Sequence, residues 1–96
     1  MYHVETTDEF DKWLSKLSDR RARAQIIARL LRVESGNFGD HKSVGGGISE
    51  LRIHTGAGYR AYYTIRGDTI VFVLLGGDKS SQQNDIARAI VMKEQL

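Results

Sequence analysis

ISELRIHTGAGYRAYYTIRGDTIVFVLLGGDK, residues 48–79, reads as three consecutive strands around which the rest of the chain is arranged. Ile48 to His54 alternates, Leu51 and Ile53 pointing one way and Glu50, Arg52 and His54 the other, which is the two-residue period of a half-buried strand. Tyr59 to Arg66 repeats the pattern, with Tyr59, Ala61, Tyr63 and Ile65 opposed to Arg60, Tyr62, Thr64 and Arg66. Between them Thr55-Gly56-Ala57-Gly58 supplies the turn of a hairpin. Ile70 to Leu75 is a continuous apolar run, the mark of a strand covered on both faces in the middle of the sheet, and it ends at Gly76-Gly77-Asp78-Lys79. With the strands as antiparallel neighbours, the sheet has one greasy face and one charged face. Arg52, His54, Arg60 and Lys79 then converge on the charged one.

Composition narrows the classes of function. Ninety-six residues with 41% apolar content make one domain, residues 1–96, with a single core. The chain has no cysteine, so it carries neither a disulfide framework nor a thiolate metal site. The N-terminus lacks a charged leader followed by an apolar run, and no apolar stretch approaches the ~20 residues that span a bilayer, which points to a cytoplasmic protein with no membrane partner. Net charge is only +2, but its distribution is uneven. Residues 36–66 hold four cationic and two acidic side chains, whereas residues 67–96 hold three and four. In the basic stretch Arg outnumbers Lys by three to one, and the planar guanidinium fork suits phosphate.

The flanking segments read as helices. Met1 to Glu5 forms a short edge or joining strand. Thr6 with Glu9 makes a capping-box pattern ahead of Phe10, Trp13, Leu14 and Leu17, an apolar stripe at helical spacing. Asp19 caps a second helix in which Ile26, Ile27, Leu30, Leu31 and Val33 cover an apolar arc, with Arg21, Gln25, Arg29 and Arg32 opposite, and Gly36 ends it. Residues 36–47 have five glycines and no periodicity, so they are expected to form a long loop, with His41 and Lys42 near the charged face as RNA-binding residues. Ser80 with Gln83 repeats the capping-box spacing before a last helix with Ile86, Ala89 and Ile90 on one side. The result is an α+β fold of order β-α-α-β-β-β-α, a small, mainly antiparallel sheet with an N-terminal helical hairpin on one face.

Each candidate site has a plainer alternative. Arg52, His54, Arg60 and Lys79 can hold a phosphodiester or merely solvate a strand face; Tyr62, on the same face, adds an aromatic for base stacking, the usual grip on single-stranded RNA. His54 is the natural proton-transfer group there, or an ordinary surface histidine. Asp85 serves either as acid or base or as a first-turn residue favoured by the helix dipole. His3, His41 and His54 lack the spacing of a metal site, so neither metal nor cofactor is expected. Gly76-Gly77-Asp78-Lys79-Ser80 lacks the spacing of a triphosphate-binding loop, and Arg66-Gly67-Asp68 is a hairpin turn.

Several stretches together resemble the RelE/ParE superfamily of type II toxins, and more narrowly its phage-derived, HigB-like addiction-module killer branch. They are Phe10-x-x-Trp13-Leu14-x-x-Leu17, Arg29-Leu30-x-Arg32, Gly36 to Asp40, Gly45 followed by Ser49-Glu50-Leu51-Arg52-Ile53, Gly58-Tyr59-Arg60-x-Tyr62, and Leu75 to Gln82 followed by Asp85-Ile86. The resemblance implies a RelE-like fold and a toxin neutralised by a cognate antitoxin. It also implies one of two targets, mRNA cleaved in the ribosomal A site without metal or, as in ParE, DNA gyrase inhibited without cleavage. In RNA-cleaving members basic residues occupy the places held here by Arg52, His54, Arg60 and Lys79; where some carry a tyrosine in the last helix region, this chain has Asp85.

Overall fold

The computed structural model describes all residues, Met1–Leu96. The chain runs β1 (His3–Thr6), α1 (Asp8–Lys16), α2 (Arg20–Glu34), β2 (His41–Gly45), β3 (Ile48–Ile53), β4 (Tyr59–Arg66), β5 (Ile70–Asp78), a 3₁₀ turn (Lys79–Ser81) and α3 (Gln82–Glu94). The strands form one sheet in the order β1-β5-β4-β3-β2, with β1 parallel to β5 and every other pair antiparallel. The α+β class, the edge strand at the N-terminus and the interior place of β5 agree with the sequence.

Alternation in β3 and β4 divides the core in two. Leu51, Ile53, Ala61 and Tyr63 join Val71 and Val73 against Phe10 of α1 and Ile26 and Val33 of α2. The opposite face carries Ile48, Tyr62, Leu74 and Leu75, covered by Ala89 of α3 with Ile86 and Ile90 around it. The sheet is therefore sandwiched between helices. The expectation of one greasy and one charged face holds only for the end of the second face that α3 leaves polar. A bulge in β5 sets where that end begins: Tyr62 pairs with Leu75 but Tyr63 pairs with Val73, so the phase of β5 shifts by one residue. Gly76 thereby faces α1, where an added Cβ would lie 2.3 Å from the Trp13 ring, and Gly77 faces α3, where it would lie 2.0 Å from Asp85 Oδ2.

Residues 41–45 are a strand rather than part of a loop, and β2 pairs with β3 from His41 opposite Leu51 to Gly45 opposite Ile48. This edge strand is exposed on nearly every residue, so no hydrophobic alternation marks it in the sequence. Gly45, Gly46 and Gly47, with φ of +96°, +63° and +77°, make the turn that returns the chain into β3.

Two capping boxes do not form. Thr6 is still paired with Val73 of β5, so the N-cap is Thr7: its Oγ1 accepts from Phe10 N at 3.0 Å and donates to Leu74 O at 2.6 Å. Glu9 instead takes Arg88 of α3 in a two-pronged ion pair, at 2.6 and 2.9 Å, that ties the first helix to the last. At α3 the 3₁₀ turn intervenes, Asp78 accepting from Ser80 N at 2.9 Å and Ser81 donating to Asp85 at 2.6 Å. Asp19 caps α2 through Ala22 N, as the sequence indicates. The apolar arc of α2 is narrower than the sequence suggests, because Ile27 and Leu31 remain 45% and 62% exposed.

Gly76→Ala is expected to destabilise the fold by about 1–3 kcal/mol through overpacking beneath Trp13. Urea unfolding followed by Trp13 fluorescence measures it, and an unchanged midpoint would mean that α1 is free to lift.

Candidate functional site

Strand pairing brings the sequence-distant cations to one end of the sheet. Arg52 of β3 stands directly opposite Arg60 of β4, and Arg60 stands opposite Gly77 of β5. Lys79 follows at the strand end, where its N–H donates to Gly58 O at 3.2 Å and its side-chain stem lies against Gly58 in the β3–β4 turn. Like charges in directly opposed positions repel. The sequence resolves this with Glu50, on the same face of β3 and 1% exposed. Its Oε2 lies 3.4 Å from Arg60 Nε and 3.7 Å from Arg52 Nε, and its Oε1 accepts from Gln82 Nε2 at 2.9 Å. Arg60 is itself 9% exposed, and its Nε and Nη1, like Arg52 Nε, are buried without a hydrogen-bond partner, so Glu50 holds the two arginines as an ion-pair partner and not by hydrogen bonds.

Tyr62 lies among these groups but cannot stack on a base, because α3 covers it completely, at 0% exposure. Burial, followed by the charges of Glu50 and Asp85, pushes its phenol well above the usual tyrosine range. Asp85 lies over Gly77, its carboxylate held by the Ser81 hydroxyl. Lys42 pairs opposite Glu50 and so shares its face, whereas His41 pairs opposite Leu51 and turns to the other side, its Nδ1 2.9 Å from Gly39 O. The two are not brought together.

At the outer end of β3, Asp40 joins Arg52 to His54: Oδ1 lies 3.2 Å from Arg52 Nη2 and Oδ2 2.5 Å from His54 Nε2. The His54 hydrogen bond, followed by the Arg52 charge, holds the Asp40 carboxyl below the usual carboxylate range. Arg29 of α2 fixes the backbone beneath, donating from Nη1 to Arg52 O at 2.7 Å and from Nη2 to Phe38 O and Asp40 O at 2.9 Å. A polar chain thus runs from Gln82 through Glu50, Arg60 and Arg52 to Asp40 and His54. Between α2 and the end of β3 it borders an open cleft of about 300 Å³. No three His, Asp or Glu side chains are grouped so as to hold a metal ion.

Glu50, Asp40, Arg29 and Gln82 are the members that sequence reasoning missed. Glu50 sits in the polar phase of its strand and reads as solvated; the available signal was an acid flanked by two cationic cross-strand positions. Arg29 reads as part of a polar helix face, and nothing local reveals that it reaches three carbonyls across the sheet edge.

The family model "Phage derived protein Gp49-like (DUF891)" matches residues 12–93. An uncharacterized protein of Haemophilus influenzae is 50% identical over 93 residues, covering 97% of this chain and 94% of that one. Among solved structures, a chain of the intact E. coli RelBE toxin-antitoxin complex is similar with a TM-score of 0.65 and 25% identity, over 81% of this chain and 96% of that one. E. coli toxin RelE in the free state, as a double arginine-to-alanine mutant, is similar with a TM-score of 0.67 and 24% identity, over 91% and 96%.

Glu50→Gln is expected to cost about 3 kcal/mol, because it leaves a buried guanidinium uncompensated, and pairing it with Arg60→Met should recover much of the loss. Chemical denaturation of the single and double variants measures both. Asp40, Asp78 and Glu9 are each held below their ordinary values of 3.8, 3.8 and 4.5, so the folded chain binds fewer protons than the unfolded one just below that range. Their contribution is complete above about pH 5 and is lost as pH falls through the depressed folded values. Melting scans should show Tm falling in that acid window, and less steeply in Asp40→Asn.

Proposed function

We propose, from the premise that the chain belongs to the phage-derived Gp49-like family of RelE/ParE-superfamily toxins, that it arrests translation by cleaving mRNA on the ribosome and is held inactive by a cognate antitoxin. The RelE-like fold and the matched family make it a type II toxin. The finer assignment is carried by one observation: an arginine pair oriented by a buried carboxylate stands beside a histidine oriented by an aspartate.

Cleavage without a metal needs only groups of these kinds. The ribose 2′-OH attacks the adjacent phosphorus, the bond to the 5′ oxygen of the next nucleotide breaks, and a 2′,3′-cyclic phosphate and a 5′-OH result. Arg52 and Arg60, their Nε edges turned to Glu50, and Lys79 neutralise the charge that grows on phosphorus and hold the strand in line. Arginine is a poor base, with a pKa above ~12. Proton transfer falls to His54, whose Nε2 is engaged by Asp40 while Nδ1 remains for the 2′-OH, or to Asp85, and the departing 5′ oxygen takes its proton from water.

Local charge balance supports the ribosome-dependent form of this reading. Arg52, Arg60 and Lys79 are interleaved with Asp40, Glu50, Asp78 and Asp85, so the face has little net attraction for a free RNA backbone, and the substrate has to be delivered and held by its carrier. A cytoplasmic location follows from this target. Inhibition of DNA gyrase by binding alone is the second reading, favoured by the same charge balance and by the exposed Ile27 and Leu31 on α2, which suit a protein surface.

Induced without its antitoxin, the wild type is expected to stop growth and leave new mRNA 5′ ends within translated codons. Arg60→Ala, checked for folding by circular dichroism, should cleave on the order of 10²–10³ more slowly. Intact mRNA with trapped DNA–gyrase complexes would overturn cleavage in favour of gyrase inhibition, and unimpaired growth would overturn the toxin reading itself.

A further inference from the structure

Around the sheet edge from the balanced face, the cleft between α2 and β3 has a different electrostatic character. Arg29 and Arg32 line its helix side, Arg52 and His54 its strand side, and Ala28 and Ile53 form an apolar floor. Against three guanidinium groups it holds one carboxylate, Asp40, and both oxygens of that carboxylate are already engaged by Arg52 and His54. The cleft therefore keeps a surplus of positive charge that the neighbouring face lacks.

The two helix arginines contribute differently. Arg29 is pinned by three carbonyls, which occupy its donors without neutralising its charge, and its Nε is buried with no partner. Burial pulls its guanidinium below the usual range, the sign of a cation held where it is poorly solvated. Arg32, three residues on and so on the same side of the helix, is exposed and makes no side-chain hydrogen bond or ion pair. One charge is fixed in place and the other is free to close on an anion.

We infer that this cleft binds the phosphate and sugar of a nucleotide next to the one cleaved, with Arg32 meeting the phosphate, Arg29 adding its un-neutralised charge, and Ala28 and Ile53 supporting the ribose. For its ligand class the inference rests on the RNA-directed reading above. A lone carboxylate from a protein partner would satisfy the charge but leave the apolar floor uncovered, whereas about 300 Å³ accommodates a nucleotide unit. Because Arg52 and His54 belong to both places, the bound nucleotide is contiguous with the scissile phosphate and sets the register of the strand.

Titrating the isotope-labelled protein with adenosine 5′-monophosphate is expected to shift the resonances of Ala28, Arg32, Ile53 and His54, with adenosine giving far smaller changes. Arg32→Ala should weaken the binding about tenfold, the worth of one charge-assisted contact, while Arg21→Ala, which removes the same charge elsewhere on α2, should leave it unchanged. Equal binding of adenosine, no shifts in the cleft at saturating nucleotide, or tighter binding there of a hexaglutamate peptide would each overturn the inference, the last in favour of an acidic protein partner. The assay does not depend on the ribosome. Nucleotide bound in the cleft while mRNA stays intact in induced cells would remove the ribonuclease reading and leave the cleft standing; cleaved mRNA with an indifferent cleft would do the reverse.

Discussion

A single buried carboxylate makes the arrangement of this sheet possible. Arg52 and Arg60 are directly paired across β3 and β4, a placement that repels by itself, and Glu50 reaches both from two residues before Arg52 on the same face. Burying an acid is costly unless it is paired and hydrogen-bonded, and Glu50 meets that condition with Arg60, Arg52 and the Gln82 amide. The last of these contacts fastens the start of α3 to β3. Apolar packing on Ile48, Tyr62, Leu74 and Leu75 seats the rest of the helix, and that one charge holds its first turn and the two guanidinium groups at the polar end of the face.

The Arg52–Asp40–His54 link extends the same logic around the sheet edge, and Arg29 braces it from the other side. Neutralised and un-neutralised regions therefore lie next to each other. The face under α3 is preorganised but nearly balanced in charge. The cleft beside α2 keeps its surplus of positive charge. Arg88 and Glu9 join the first and last helices and give both regions a common frame.

Where sequence reading fell short, the reasons are physical. The edge strand β2 has no buried side to generate a period, so its glycines dominate the impression. The capping residues slipped by one because a strand or a 3₁₀ turn claimed the residue that the motif would have used. Alternation puts Tyr62 on the correct face but does not say what else covers that face, and α3 does.

The sequence by itself determined the elements that carry a period: the stripe of α1, the alternation of β3 and β4, the apolar run of β5, and with them the α+β class and the gathering of Arg52, Arg60 and Lys79 at one end of the sheet. Local patterns of hydrophobicity fix which way a side chain points relative to its own strand or helix, and strand pairing then follows from burying the apolar sides. Only the tertiary structure decided which charges meet. Glu50 with Arg60, Asp40 with His54 and Arg29 with three carbonyls are contacts between segments whose separation in sequence carries no information about their approach; the first and the last form because a charge taken out of water has to find its partner in whatever the fold brings within reach, and the Asp40–His54 pair forms at the surface because the fold sets the two side by side.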